Sequence, residues 1–553
     1  MKNNTTLKLK SVLGKRNLLF YILIILGVLK SLLMVGMAIS IKLLVNAYEY
    51  SLGNNWVLNY AVLLISVVVL SFIIGVLDKL VSSKYTVIIE EKLKTSVFKS
   101  FLSGNYGDIV LNSSGDLISK FSVDALRVSN VYANLTPNVI STVTHLLGII
   151  TALFILQPTF TLIVAVLGLL AIIVTLFLRR VLVGYYKKSR NKEALVSSFV
   201  SEVSRNSLIV KALNVESNVS NIFNGKVLEY KNVKLQHSYL GAIITSVTAF
   251  TFTLFYAISV IMGVNGMVNG TSGIDFGVII AVLQLITQIK SPINNLSTYV
   301  TIYNEMIVSA ERLFSVAYNS EKGFDKYTNG FESLTIKDLN YSYGEKQVLK
   351  KVNLTVNKGD KILIKGVSGE GKTTFLKAIT GLYNDYDGEV YLTVNGNKIT
   401  PYNIKGAYAY VPQDNMLFSG TILENITFNN SYNFDKILEV LSLCNIDFIS
   451  HNKVGLNTYI GENGLNLSTG QGQRIAMARG IIKGAPILIL DEATSSLDDK
   501  TEEEILSKIA SISDLTVIFV SHKTCFEKYA SKIYTLKGGE LFTTFNDSKN
   551  ENA

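Results

Sequence analysis

The sequence predicts a multi-domain protein in which an all-α transmembrane domain of six helices is followed by an α/β nucleotide-binding domain. Hydrophobic residues make up 48% of the 553 residues and charged residues only 17%, a balance typical of a chain that is partly embedded in a membrane. Long charge-poor runs fill the first ~300 residues. The remainder alternates like the strands of a water-soluble domain and contains a glycine-rich phosphate-binding motif.

The membrane domain is predicted from the length of its apolar runs, because a helix needs about 20 apolar residues to cross a bilayer core. Six segments qualify: Leu18 to Asn46, Trp56 to Leu77, Leu135 to Leu156, Thr159 to Leu178, Tyr239 to Val268 and Phe276 to Tyr303. Two loops of about 50 residues follow the second and fourth segments, and we expect them to be helical hairpins.

Lys and Arg concentrate in these two loops and before the first segment, whereas the other three connections lack them. The positive-inside rule therefore places both termini, both hairpins and the nucleotide-binding domain in the cytoplasm. We expect a multi-pass protein of a bacterial plasma membrane, in contact with membrane lipid. The net charge of +10 is explained by these loops, so we expect no nucleic-acid partner.

Composition also sets the domain boundaries. Residues 1–316 are predicted to form the transmembrane domain, residues 317–330 a polar, glycine-containing linker, and residues 331–553 the nucleotide-binding domain. The two cysteines, Cys444 and Cys525, are too few and too far apart for a disulfide framework.

A P-loop spans Gly366 to Thr374 (GVSGEGKTT), between an apolar strand and a helical segment. Its backbone N–H groups are suited to cradle phosphate oxygens, Lys372 to neutralise the β- and γ-phosphates, and Thr373 to ligate Mg²⁺. We expect ATP to contact Gly366, Ser368, Gly369, Gly371, Lys372, Thr373 and Thr374.

Two further apolar strands end in polar residues suited to hydrolysis. The strand before Asp491 and Glu492 leads us to expect that Asp491 reaches Mg²⁺ through water and that Glu492 orients or deprotonates the attacking water. His522 follows the other strand and is placed to touch the γ-phosphate. Glu492 and His522 are therefore the predicted catalytic residues.

These motifs resemble those of the ABC transporter family, in its exporter-type half-transporters. Leu467 to Gln471 (LSTGQ) resembles the signature loop, Gln413 the Q-loop, Asp498 the D-loop and Tyr343 the aromatic that stacks on adenine. The resemblance implies that ATP also contacts Tyr343, Gln413, Ser468, Gly470, Gln471 and Asp498, and that Thr373, Gln413 and Asp491 serve Mg²⁺. In the membrane half, the segments starting at Gly115, Lys211 and Ala310 resemble exporter landmarks.

In this family the signature loop of one subunit closes on the P-loop of another. One chain carries one of each, so the resemblance implies a second half-transporter chain. We expect a homodimer, and a heterodimer of homologous chains is the alternative. Thr469 stands where the family usually has Gly, which leaves slower hydrolysis or a degenerate site open.

The resemblance implies an ATPase coupled to transmembrane export. Our first hypothesis is a peptide substrate of the bacteriocin type, which would place the chain in the bacterial peptide-exporter group. The alternatives are a multidrug or lipid exporter and, from another class, an ATP-gated peptide sensor or immunity protein. The sequence does not give the direction of transport. No protease-like segment precedes the first apolar run, so we expect no leader-peptide cleavage by this chain.

Charged residues inside the membrane segments point to a substrate cavity, because a Lys at the centre of a membrane helix costs about 2.5–3.5 kcal/mol. We predict a cavity for an anionic or carboxylate-ended substrate, lined by Lys30, Lys290, Gln284, Gln288 and Asn294. Lys42 is instead placed to reach the outer headgroups.

Overall fold

The structure is a computed structural model that describes residues 2–50, 53–104, 106–110, 114–269, 274–315, 325–327, 329–367, 369–414, 416–451, 455–461 and 464–544. The chain divides into two compact units. The first comprises residues 1–101 and 114–317, and the second comprises residues 102–113 and 318–553. The domain boundaries predicted from composition stay a prediction.

The first unit is helical. Its helices, together with α4 of the second unit, are α1 (Lys2–Leu13), α2 (Leu18–Glu49), α3 (Asn54–Leu102), α4 (Tyr106–Val110), α5 (Ser114–Ser119), α6 (Ala125–Leu156), α7 (Pro158–Arg205), α8 (Ser207–Ala212), α9 (Glu216–Val268) and α10 (Phe276–Phe314). A π-helical turn, Lys120–Asp124, joins α5 to α6.

Among the described residues, five helices are long and apolar enough to cross a membrane: Leu18–Glu49, Asn54–Leu102, Asp116–Leu156, Glu216–Val268 and Phe276–Phe314. They contain five of the six predicted segments. The fourth, Thr159 to Leu178, lies in α7, where the side chains of residues 163–181 are outside the described part, so this span stays a prediction. Only 6% of the most apolar window of α3 is buried, as expected for a surface that contacts lipid.

The helices continue well beyond the apolar segments. Helix α3 has 49 residues, α7 has 48 and α9 has 53, so each is roughly 70–80 Å long and exceeds the bilayer core. At the end of α10, Arg312 pairs with Asp116 at 3.1 Å and with the buried Asp124 at 3.2 Å. These ion pairs join two of the exporter landmarks that are far apart in the sequence.

The second unit is an α/β structure. Its strands are β1 (Asp325–Lys326), β2 (Phe331–Tyr343), β3 (Lys346–Asn357), β4 (Lys361–Lys365), β5 (Asp387–Val394), β6 (Asn397–Ile399), β7 (Ile404–Lys405), β8 (Tyr408–Val411), β9 (Gly420–Thr421), β10 (Tyr459–Ile460), β11 (Ile487–Asp491), β12 (Thr516–Val520), β13 (Lys532–Lys537) and β14 (Glu540–Thr544). Its helices after α10 are α11 (Lys372–Ile379), α12 (Ile422–Thr427), α13 (Phe434–Leu443), α14 (Phe448–His451), α15 (Thr469–Ile482) and α16 (Asp499–Ala510).

The larger sheet has the strand order β14-β13-β4-β12-β11-β8 and is parallel except for the β13–β14 pair. Strands β11 and β12 are fully buried, which fits a parallel sheet covered on both faces. An antiparallel sheet, β3-β2-β5-β6, forms a second layer. Because β4, β12 and β11 are parallel neighbours, the polar residues that follow them lie at one edge of the sheet. Strand β1, which lies in the predicted linker, pairs with β7 of the nucleotide-binding domain.

Candidate functional site

The P-loop connects β4 to α11. Gly369 and Gly371 have φ angles of +92° and +98°, a left-handed conformation that favours glycine. A Cβ atom on Gly371 would lie 2.8 Å from Val348 Cγ1, so a side chain at this position would also collide with its neighbour. Gly366 precedes this turn, and Ser368 lies outside the described residues. The two left-handed glycines are typical of a loop whose backbone N–H groups face a phosphate.

Lys372 lies at the centre of the site with only 7% of its surface exposed. Its Nζ donates to Gly366 O at 2.6 Å and to His522 Nε2 at 2.6 Å, and it lies 3.5 Å from Glu492 Oε1. The structure therefore brings the predicted phosphate-binding lysine together with both predicted catalytic residues. Because an ammonium group has no acceptor, Nε2 of His522 is the acceptor in this contact.

Asp491 is buried beside the P-loop. Its Oδ2 accepts hydrogen bonds from Tyr410 OH at 2.8 Å and Thr373 Oγ1 at 3.3 Å. Burial raises the pKa of Asp491, and these two hydrogen bonds oppose that rise. Gln413 donates from Nε2 to Glu492 Oε2 at 3.0 Å, so the Q-loop candidate also reaches this edge of the sheet.

These residues fit Mg²⁺. Thr373, Gln413 and Asp491 offer a hydroxyl, an amide and a carboxylate oxygen, the donor types that Mg²⁺ prefers. Within the part of the chain that the structure describes, no cluster of three or more His, Cys, Asp or Glu residues could hold a metal ion. A site with a single carboxylate suits a hydrated Mg²⁺ that takes further oxygen ligands from phosphates.

Glu492 has an unusual backbone. Its φ angle is 48°, in the left-handed region that costs a residue with a side chain about 1–3 kcal/mol when it is enforced at a functional site. Its N–H donates to Val520 O at 2.9 Å, which anchors this turn to the neighbouring strand β12. The strained conformation aims the Glu492 carboxylate at Lys372.

Sequence reasoning missed Glu502, which is only 1% exposed in the first turn of α16. Thr494 Oγ1 donates to its Oε1 at 2.6 Å, and Lys523 Nζ donates to its Oε2 at 2.8 Å. Thr494 lies two residues after Glu492 and Lys523 directly follows His522. Glu502 therefore links the two chain segments that carry the predicted catalytic residues. A charged residue near a helix start gives no local signal of such a role.

Tyr343 lies at the end of β2 next to the P-loop helix. Its hydroxyl donates to Tyr383 OH at 3.2 Å and lies 3.5 Å from Thr374 Oγ1. The side chain is 49% exposed, so part of its ring is open to a partner. The adenine-stacking role expected of Tyr343 stays a prediction.

The signature residues form a second group. Ser468 caps α15, with its Oγ accepting from Gln471 N at 3.2 Å while Gln471 Oε1 accepts from Ser468 N at 2.9 Å. A Cβ atom on Gly470 would lie 3.0 Å from Ser496 O, so glycine permits close packing on the D-loop. Asp498 Oδ2 caps α16 by accepting from Thr501 N at 3.0 Å.

Thr469 is the exposed first residue of α15 and is not part of the capping contacts. Among the residues that the structure describes, no hydrogen bond or ion pair connects Ser468, Gly470, Gln471 or Asp498 to Lys372, Thr373 or Thr374. The P-loop and the signature loop are thus two half-sites within one chain.

The first unit contains a polar cavity of about 310 Å³ between α2, α3, α6 and α10. Of the five residues predicted to line a substrate cavity, Lys30 and Gln288 lie in the wall of this cavity and Gln284, Lys290 and Asn294 lie outside it. The lining residues of α10 recur every three or four positions from Thr287 to Asn295, which is one helix face, and Lys290 and Asn294 are exposed on another.

Asp78, which sequence reasoning missed, lies one residue beyond the second predicted segment. Its Oδ2 is 3.6 Å from Lys30 Nζ. The carboxylate balances the lysine charge, so this wall of the cavity does not have the net positive charge that the sequence led us to expect.

Comparisons with known proteins cover most of the chain. Residues 20–293 match the ABC transporter transmembrane region, and residues 349–495 match the ABC transporter family. The ATP-dependent lipid A-core flippase of Francisella novicida is 27% identical over 81% of this chain and 78% of its own length. The lactococcin-G-processing and transport ATP-binding protein of Lactococcus lactis subsp. lactis is 28% identical over 80% of this chain and 64% of its own length.

A solved structure of a bacterial Atm1-family ABC exporter with ATP bound has a TM-score of 0.78 against this chain. The match covers 94% of this chain and 93% of that protein at 22% sequence identity. At this level of identity the likeness shows the fold, a helical transmembrane domain followed by an α/β nucleotide-binding domain.

Proposed function

This chain belongs to the ABC transporter family, as an ATPase that couples hydrolysis to export, and from that premise we propose that two identical copies assemble to export a peptide. The two-copy assembly is supported by the separate half-sites: each chain carries one P-loop group around Lys372 and one signature group around Ser468. Closing a P-loop on the signature loop of a second copy completes two ATP sites. A heterodimer remains the alternative assembly.

The observation that carries the proposed hydrolysis is the convergence of Lys372, Glu492 and His522. In this proposal Lys372 binds the β- and γ-phosphates, and the Glu492 carboxylate takes a proton from the attacking water. His522 contacts the γ-phosphate, and Tyr343 stacks on the adenine. Mg²⁺, when bound, neutralises phosphate charge beside Thr373, Gln413 and Asp491.

Lys372 contacts both catalytic candidates in the structure. Binding of phosphate gives the ammonium group a stronger anionic partner, and the Glu492 carboxylate is then available to the water. Gln413, which contacts Glu492 at 3.0 Å, is placed to respond to that change.

The proposed peptide substrate is supported by the lining of the membrane cavity, which offers amide, hydroxyl, imidazole and ion-pair groups that match a peptide backbone. The similarity to a lactococcin transport protein supports the same choice. Lipid is the second candidate, because the similar lipid A-core flippase acts on a lipid. The basic loops support a bacterial plasma-membrane location with the nucleotide-binding domain in the cytoplasm.

The test of the hydrolysis mechanism is Glu492→Gln in the purified full chain. Loss of the proton acceptor should lower the ATPase rate by about 100-fold or more, while ATP binding, measured with a fluorescent analogue, stays within about twofold. Glu439→Gln, at an exposed position in α13, is the matched control and should hydrolyse ATP like the wild type. ATP turnover at the wild-type rate in Glu492→Gln would exclude Glu492 as the catalytic base.

Assembly and substrate are tested together with inside-out vesicles that contain only this chain. ATP-dependent uptake of a peptide would support a homodimeric peptide exporter. Inactivity that is restored by a homologous chain would show a heterodimer, and uptake of labelled lipid without peptide would show a lipid exporter.

A further inference from the structure

The polar cavity of the first unit lies deep in the membrane helices. His145 is 11 residues from the end of α6 and Gln288 is 12 residues from the start of α10, roughly 17–18 Å along each helix. Lys30 is 19 residues before the end of α2, roughly 28 Å. With a bilayer core of about 30 Å, the cavity extends from the middle of the bilayer to the end that the basic loops predict to be cytosolic.

The lysine and the aspartate of this cavity both face its interior. The Lys30 side chain is 35% exposed and the Asp78 side chain is 26% exposed, and both line the cavity wall. Their separation of 3.6 Å is long for a charge-assisted hydrogen bond. Among the described residues neither has another hydrogen bond or ion pair. An ammonium group has three donors and a carboxylate about four acceptor sites, so both retain unused capacity.

Several other polar side chains of the cavity are already held in place. Gln288 Nε2 donates to Met34 O at 3.1 Å, and its Oε1 contacts His145 Nε2 at 3.1 Å. Ser31 Oγ donates to Gly27 O at 2.8 Å and contacts Ser141 Oγ at 2.9 Å. These neutral side chains are therefore preorganised, whereas the ion pair keeps hydrogen-bonding capacity for a ligand.

We propose that Lys30 and Asp78 bind a zwitterionic substrate, a short peptide whose free carboxylate end contacts Lys30 and whose free ammonium end contacts Asp78. An anion bound to Lys30 would lie close to the negative charge of Asp78. A cation bound to Asp78 would lie close to the positive charge of Lys30, so either ligand alone would face a like charge. A group that carries both signs satisfies both residues and adds no net charge to a low-dielectric site. This inference rests on the proposed export function and narrows its substrate class.

The test uses trialanine with free ends, its N-acetylated form and its C-amidated form as probes of the purified full chain. Binding is measured as the concentration that gives half of the maximal thermal stabilisation, which does not depend on ATP hydrolysis. For the wild type, either modification should raise this concentration by about tenfold or more, because each removes a hydrogen bond to a charged group.

The variants Lys30→Gln and Asp78→Asn assign each charge to its partner. In Lys30→Gln, C-amidation should no longer change the half-maximal concentration, with a ratio of about 1, whereas N-acetylation should still raise it. Asp78→Asn should show the reverse. These ratios compare probes within one variant, so a change in the stability of the variant does not affect them. Lys42→Gln and Lys290→Gln are matched controls, since neither lysine lines the cavity, and both should keep the two effects.

Equal binding of free and modified peptides by the wild type would overturn the proposal, and so would loss of the amidation effect in Lys290→Gln instead of Lys30→Gln. Stabilisation by phosphatidylethanolamine vesicles but by none of the peptides would overturn the peptide assignment. Binding with the expected pattern in a chain that does not hydrolyse ATP would support this site and contradict only the export function.

Discussion

Two lysine–carboxylate pairs of almost equal length lie in the two units. Lys372 and Glu492 are 3.5 Å apart at the P-loop, and Lys30 and Asp78 are 3.6 Å apart in the membrane cavity. The first pair is surrounded by partners, since Lys372 also binds Gly366 O and His522, and its lysine is 7% exposed. The second pair faces a cavity, with side chains 35% and 26% exposed.

The difference shows how the surroundings decide the use of an ion pair. At the P-loop, the backbone and adjacent strand ends fix both charges, which suits a site where atoms must be placed for a reaction. In the membrane cavity, the two charges come from separate helices and keep unused hydrogen-bonding capacity, which suits binding of an exchangeable ligand. Three substitutions in the second unit test whether the site around Lys372 and Glu492 is the catalytic one of the two.

The largest effect is expected for Lys372→Met. Loss of the buried ammonium group should lower both ATP affinity and the ATPase rate by about 100-fold or more, because this group contacts both Glu492 and His522 beside the P-loop. Equilibrium binding of a fluorescent ATP analogue and phosphate release measure the two quantities. Lys398→Met, on the four-stranded sheet, is the control. If Lys372→Met bound ATP as tightly as the wild type, Lys372 would not be part of the ATP site.

An intermediate effect is expected for Glu502→Ala, which removes the shared acceptor of Thr494 and Lys523. Breaking this buried contact should lower the free energy of unfolding by about 3 kcal/mol. If Glu502 positions the catalytic segments, kcat should fall by about tenfold with KM for ATP within about twofold. Glu502→Gln, which keeps an oxygen acceptor, should restore part of kcat.

The adjacent Glu503→Gln is the matched control for Glu502, because Glu503 is exposed. A loss of stability in Glu502→Ala without a change in kcat would mean that the carboxylate serves folding alone.

The smallest effect is expected for Thr469→Gly. Thr469 is exposed and lies outside the capping contacts of Ser468 and Gln471, so the change should raise the ATPase rate by only about twofold. The measurement is steady-state phosphate release from the assembled protein. An increase above about tenfold would show that Thr469 obstructs the composite site, and a decrease would show that the threonine contributes to it.

The nucleotide half of the molecule was largely predictable because its signals are local. The P-loop and the Asp491-Glu492 pair are runs of consecutive residues next to recognisable strands, and parallel strand order then brings them to one edge. Glu502 was not predictable in this way. Its partners Thr494 and Lys523 belong to two different loops, and only the folded sheet brings them to the same helix.

The membrane cavity was predicted only in part. Apolar length identifies helices that cross a bilayer, but a helix that is apolar on all sides gives little information on its rotation about its own axis. The sequence therefore could not show that Lys290 lies on a different face of α10 from the residues that line this cavity. Asp78 was missed because the apolar run ends at Leu77, whereas α3 continues to Leu102.

The left-handed backbone of Glu492 sets the requirements of catalysis against those of folding. Because glycine adopts a φ angle of 48° without the penalty that a side chain incurs, the residue best suited to this turn is not the one that can accept a proton. A glycine here would relieve the backbone strain but would remove the carboxylate that contacts Lys372.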